Sequence, residues 1–171
     1  MTLEWATAAW FLPFVTPIAI WVVWSDLSSM KIPNKAVLAL LAVFVLVGLV
    51  ALPFNDYLWR YSHFAVLIVA GFVVSSIGLM GAGDAKFLAA MGPFIAVPDI
   101  AIFAVILGTT SLAALILHTI IRYTPFLYRL FPTWKSLEPE TEKSFGKRKI
   151  PYGFGLAPSL VFYLLIGLFT G

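Results

Sequence analysis

Two aspartates, Asp26 and Asp84, are the residues whose types and positions could do chemistry in this chain. Asp26 follows the apolar stretch 5–25, and Asp84 lies within the sequence GAGDAK, residues 81–86, directly after another apolar stretch. A carboxylate at the edge of a membrane core is costly, so it is a candidate functional group. Two carboxylates held close together share a proton, so one can activate water while the other protonates a peptide carbonyl.

The other reactive residues are few, and this restricts the alternative chemistries. The chain has no cysteine and only two histidines, His63 and His118. Disulfides, thiolate nucleophiles and cysteine-ligated zinc are therefore excluded. Two histidines leave few ways to build a zinc site or a Ser-His-Asp triad. We expect no metal and no cofactor.

The composition predicts an all-α integral membrane protein. Hydrophobic residues make up 61% of the chain and charged residues 11%, whereas a soluble domain carries about 25% charged residues. Long apolar runs, rather than alternation of apolar and polar residues, argue against a β-barrel. We expect a single transmembrane domain over residues 1–171, whose first apolar stretch is a retained helix rather than a cleaved signal peptide. The surplus of lysine and arginine is interpreted as a topology signal and as contact with anionic lipids, not as nucleic-acid binding.

The distribution of basic residues predicts the membrane topology of this domain. The expected spans are 5–25, 36–53, 63–80, 98–123 and 151–170, with a short sixth segment at 87–98 and loops at 26–35, 54–62 and about 122–150. If the short segment crosses, ten basic residues share one side and Arg60 stands alone on the other. The positive-inside rule then favours a six-transmembrane-helix bundle with both termini outside the cytoplasm. Asp26 and Asp84 share the cytoplasmic side in any case, because two spans separate them.

The individual residues also have simpler explanations. Asp84 could cap a helix, as we expect Asp99 to do for the span that follows it, and Asp26 could pair with Lys31. Gly81 and Gly83 could serve helix packing, or they could permit tight turns and close approach of a substrate strand to Asp84. Two other classes of function stay open at this level. One is a small transporter in which the two aspartates bind a cation or proton, and the other is a non-catalytic assembly factor for a secretion machine.

Three motifs taken together resemble the type IV prepilin peptidases, which are membrane aspartic proteases of the GxGD type. Gly81-Ala82-Gly83-Asp84 matches the motif that names the type, and Ala85-Lys86 is also typical. Asp26, followed by Met30-Lys31-Ile32-Pro33-Asn34, resembles the first aspartate of the family and its downstream sequence. Ile150-Pro151-Tyr152-Gly153 resembles a further motif of the short Flp, or tight-adherence, branch.

The resemblance implies an enzyme that cleaves prepilin leader peptides at the cytoplasmic face of the bacterial inner membrane. It implies that Asp26 and Asp84 are the catalytic pair, and that the neighbouring residues Gly81, Gly83, Lys86, Lys31, Pro33 and Asn34 bind substrate or shape the site. The implied partners are a membrane-inserted prepilin, the lipid bilayer and the pilus assembly machinery. Longer family members carry a cysteine-bearing cytoplasmic domain between the first two spans and also methylate the new N-terminus. The corresponding loop here has ten residues, 26–35, without cysteine, so no methyltransferase activity is expected.

Overall fold

The computed structural model describes residues 2–124, 126, 134–137 and 151–170. Its architecture is a helical bundle, and no strand occurs among these residues. The helices are α1 Trp5–Ser29, α2 Asn34–Ala51, α3 Phe54–Ser76, α4 Ala82–Met91, α5 Ile100–Tyr123 and α6 Gly153–Thr170. Short 3₁₀ turns at Gly92–Phe94 and Val97–Asp99 connect α4 to α5, and another lies at Lys135–Leu137.

Five of these helices are long and apolar enough to cross a membrane. The exception is α4, whose ten residues would extend about 15 Å, half of a bilayer core of about 30 Å. The expectation of an all-helical, multi-pass membrane protein is confirmed. The sixth crossing and the side on which the termini lie stay predictions.

The boundary of α3 corrects the prediction of a loop at 54–62. The helix already begins at Phe54, immediately after Pro53. Asp56 lies in its first turn, where a negative charge interacts favourably with the helix dipole. Tyr57 and Arg60 are buried on one face, because they are three residues apart and point the same way. The predicted polar loop at about 122–150 lies largely outside the described residues.

Aromatic residues mark both the surface and the centre of the bundle. Trp5, Trp10, Trp21 and Trp24 of α1 are all exposed, as expected for side chains that face the lipid interface near the two ends of a span. Phe94, from the turn after α4, packs edge-to-face against Phe11 of α1 with the ring centroids 4.8 Å apart. It makes a similar contact with Phe44 of α2, and so anchors the α4–α5 connection in the core.

A buried polar network lies at the end of the bundle where α1 begins. The Asp99 carboxylate accepts hydrogen bonds from the backbone N–H groups of Thr2 at 2.8 Å and Leu3 at 3.1 Å, and from the Tyr163 hydroxyl at 3.0 Å. Asp99 does occupy the N-cap position of α5, but the expected side-chain cap is absent, because these three donors engage its oxygens instead. Nearby, Arg60 donates to the carbonyl oxygens of Pro93 and Phe94, both at 3.1 Å.

Candidate active site

Asp26 lies in the last turn of α1 and is only 4% exposed. The helix ends because Met30 adopts a left-handed conformation, with φ 55°, and its N–H donates to the Asp26 carbonyl oxygen at 2.9 Å. This is the αL type of helix termination, here without the usual glycine. The Ser25 hydroxyl donates to the Lys31 carbonyl at 2.9 Å and holds the chain as it turns toward α2. The local sequence thus places the carboxylate at the end of the bundle opposite Asp99.

The first turn of α6 contacts the Asp26 side chain. The backbone N–H of Phe154 donates to Oδ2 of Asp26 at 3.2 Å. Helix N-termini offer N–H groups without intrahelical partners and the positive end of the helix dipole. The Asp26 carboxylate belongs to the last turn of α1, and it therefore lies at the negative end of the dipole of that helix. The first turn of α6 therefore supplies a compensating field.

Asp84 is the third residue of α4, and Gly81 is the N-cap. The preceding helix α3 ends in a turn where Gly78 has φ 77°, a conformation that glycine adopts without strain. The chain then enters α4 with Gly83 beside Ile32, since a Cβ added at Gly83 would lie 3.6 Å from the Ile32 backbone oxygen. This contact brings the start of α4 to the segment that follows Asp26.

The two carboxylates interact electrostatically. The pKa of Asp84 is raised to about 6, first because the group is partly buried and second because of the negative charge of Asp26. Hydrogen bonding to the Gly81 backbone opposes this rise. Two carboxylates that repel each other in this way are more stable when they share one proton than when both are ionised. The arrangement can therefore offer a base and an acid at the same place.

The two glycines of the GxGD sequence have different surroundings. Gly81 has φ −66° and ψ 143°, which any residue can adopt, so the turn that requires glycine is at Gly78 and not here. A Cβ at Gly81 would lie 2.5 Å from Oδ2 of Asp84. A Cβ at Gly83 would meet Ile32 at ordinary contact distance. Gly81 thus leaves room for the carboxylate, whereas Gly83 lies against the turn after α1.

The other predicted site residues surround this end of the bundle. Lys31, Asn34 and Lys86 are exposed, and Pro33 is partly buried at the N-cap position of α2. The contact of Gly153 and Phe154 with Asp26 was not predicted as part of the site. The signal available was the Pro-Tyr-Gly sequence at the start of the last span, whose preceding Ile150 lies outside the described residues. Among the described residues, no three His, Asp or Glu side chains are grouped so that they could hold a metal ion.

Comparison with known families identifies the chain. The family model for the type IV leader peptidase family matches residues 14–120, a range that includes Asp26 and Asp84 and most of the bundle. The chain belongs to this family. No curated protein and no solved structure gave a match.

Family membership makes the chain a type IV leader peptidase-like protease, and its five apolar helices make it a multi-pass membrane protein. The family match ends at residue 120. The contact of α6 with Asp26 lies outside this match and is seen only in the tertiary structure.

Proposed function

We propose that this leader peptidase is an aspartic endopeptidase that removes the leader of Flp-type prepilins at the cytoplasmic face of the bacterial inner membrane. The observation that carries the proposal is the coupling of Asp26 and Asp84. They come from two different helices, Asp26 is buried and Asp84 is half-buried, and the charge of Asp26 raises the pKa of Asp84. This is the requirement for general acid–base hydrolysis of a peptide bond.

In the proposed mechanism the reactive form of the pair carries one proton, on Asp84, because the negative charge of Asp26 raises the pKa of Asp84 and the Phe154 N–H favours the charged form of Asp26. Ionised Asp26 takes a proton from a water molecule, whose oxygen attacks the carbonyl carbon of the scissile bond. Asp84 donates its proton to the carbonyl oxygen. Collapse of the tetrahedral intermediate breaks the C–N bond. The leaving amine receives the proton that Asp26 had taken, and one hydroxyl proton of the intermediate returns to Asp84.

The neighbouring residues are proposed to shape this site. Gly81 gives the Asp84 carboxylate its space, and Gly83 keeps the start of α4 against the Lys31–Asn34 turn. The exposed Lys31, Asn34 and Lys86 are in position to meet polar parts of a substrate at the membrane edge. Pro33 fixes its own φ and biases Ile32 toward an extended conformation, so it keeps this turn open.

The absence of methyltransferase activity is also part of the proposal. The connection between α1 and α2 consists of residues 30–33 only and contains no cysteine. This leaves no room for the domain that the longer family members carry at this point. The product of cleavage should therefore keep an unmethylated N-terminus.

We further propose that residues 87–98 make a sixth crossing. Asp84 lies near the end of α1, whereas the Asp99 carboxylate binds Thr2 and Leu3 at its beginning. The short connection from Asp84 to Asp99 thus leads from one end of α1 toward the other, which supports a crossing. The crossing leaves ten of the 11 basic residues on the cytoplasmic side, and it leaves both termini outside the cytoplasm.

The decisive experiment is cleavage of a candidate Flp-type prepilin by the purified protein in liposomes, followed by mass spectrometry of the product N-terminus. We expect one cut at the junction between leader and apolar helix, and no methyl group on the new N-terminus. Asp26→Asn and Asp84→Asn are the matched controls, since each keeps the size of the side chain and loses its acid–base function. An intact prepilin with the wild-type protein, or full cleavage by either variant, would refute the proposal.

A further inference from the structure

Gly153, the first residue of α6, is closely packed against Asp26. A Cβ at this position would lie 3.0 Å from Oδ2 of Asp26 and 3.1 Å from both its Cβ and its Cγ. Gly153 is buried, and so is the Asp26 side chain. The contact involves the whole short side chain and not only its flexible tip, so rotation of the carboxylate alone would not relieve it.

The close approach has an electrostatic consequence. Because no side chain separates the two helices at Gly153, the next residue, Phe154, can direct its N–H at Oδ2 of Asp26. Asp26 is thereby held by the first turn of a second helix, 128 residues further along the chain. A methyl group between them would move the carboxylate away from this donor and relative to Asp84.

Two other glycines have different surroundings, so the close contact with an aspartate is particular to Gly153. Gly155 follows two residues later in α6, but a Cβ there would collide with Ser111 of α5, at 2.7 Å from its Cα. Gly108 of α5 has no atom within 4 Å of an added Cβ. The glycines of α5 and α6 thus include one that contacts the aspartate, one that serves helix packing and one in open space.

We propose that Gly153 is a positioning residue for the aspartate pair, because its lack of a side chain sets where the Asp26 carboxylate lies. The inference rests on the proposed function. The first turn of α6 is then part of the machinery of cleavage, although it lies beyond the residues that match the family. Gly153 acts through Asp26 and is not expected to touch the substrate.

The test is prepilin cleavage by Gly153→Ala in liposomes, with kcat and KM measured across pH. Relief of these contacts requires a shift of a few tenths of an ångström. Because a shift of about 1 Å can lower the rate roughly a hundredfold, we expect kcat to fall about fivefold while KM changes little. The acid limb of the pH–rate profile should move to higher pH by about one unit, since the pair loses a hydrogen bond to its charged form. Gly108→Ala should match the wild type. Gly155→Ala should lose thermal stability but keep the wild-type pH profile in its folded fraction.

A stability measurement keeps the proposal testable if Gly153→Ala folds poorly. Replacing Asp26 by Ala removes two of the three atoms that the new methyl group would meet. The loss of stability caused by Gly153→Ala should therefore be smaller in the Asp26→Ala background than in the wild type. This cycle needs no activity, so it gives an answer even if the wild-type protein cleaves no prepilin and the proposed function fails. Wild-type kcat and pH profile in Gly153→Ala, or equal stability losses in both backgrounds, would overturn the inference.

Discussion

Replacing Asp84 by Asn should abolish cleavage and at the same time stabilise the protein at neutral pH. Asparagine has the size of aspartate and can still accept a hydrogen bond from the Gly81 backbone, but it cannot exchange a proton. It also removes the negative charge that is partly buried beside Asp26. The wild-type protein keeps this carboxyl group because the proposed reaction requires a group that can exchange a proton.

The size of the stabilisation follows from the pKa of Asp84. This pKa rises from 3.8 to about 6 on folding, so between these values the folded chain binds more protons than the unfolded chain. Stability then falls as the pH rises from about 4 to about 6, and the full cost is present above that range. About two pKa units would correspond to roughly 3 kcal/mol, but the carboxyl group is only half-buried, so we expect about 1.5 kcal/mol.

The assay is unfolding of the purified protein in detergent between pH 4 and pH 8, with cleavage measured on the same samples. Asp84→Asn should be more stable than the wild type at pH 7.5, and the difference should vanish toward pH 4. Asp56→Asn is the matched control, because Asp56 is exposed in the first turn of α3 at the other end of the bundle. It should show no such gain. An Asp84→Asn protein that is equally stable or less stable at pH 7.5 would show that the charge of Asp84 is not unfavourable in the folded state.

Four further predictions follow from the site and its position. Asp26→Asn should insert and fold but lose cleavage, and near-normal processing of a prepilin would remove Asp26 from the mechanism. Gly81→Ala should lower kcat about tenfold or more while Gly83→Ala has a small effect, because an added Cβ lies 2.5 Å from the Asp84 carboxylate in the first case and 3.6 Å from Ile32 in the second; equal effects on kcat would contradict this reasoning. EDTA should leave the cleavage rate unchanged, and a loss that added metal restores would count against the carboxylate pair. In the cysteine-free chain, Lys31→Cys should react with a membrane-impermeant reagent from the cytoplasm and Trp59→Cys from outside, and the reverse pattern would overturn the orientation.

The apolar helices and the shared side of the two aspartates could be predicted without a structure. Membrane helices are recognisable because each must be apolar over nearly its whole length, whatever its neighbours are. Asp26 and Asp84 belong to the same end because two such helices separate them. The start of α3 was not predictable in this way. Its first residues are polar, and Arg60 is accommodated there only because the carbonyl oxygens of Pro93 and Phe94, far along the chain, accept its hydrogen bonds.

The amino-acid sequence by itself determined which residues could perform the chemistry, while the tertiary structure decided what surrounds them. Asp84 and its glycines are adjacent in the chain, so their association is local and can be predicted from the sequence. The partner of Asp26 is the first turn of α6, and Phe154 lies 128 residues away. Asp99 likewise had the sequence position of a helix cap, yet its oxygens are taken by Thr2, Leu3 and Tyr163. In both cases the carboxylate is satisfied by donors that only the packing of distant helices brings within reach, and no local pattern encodes that packing.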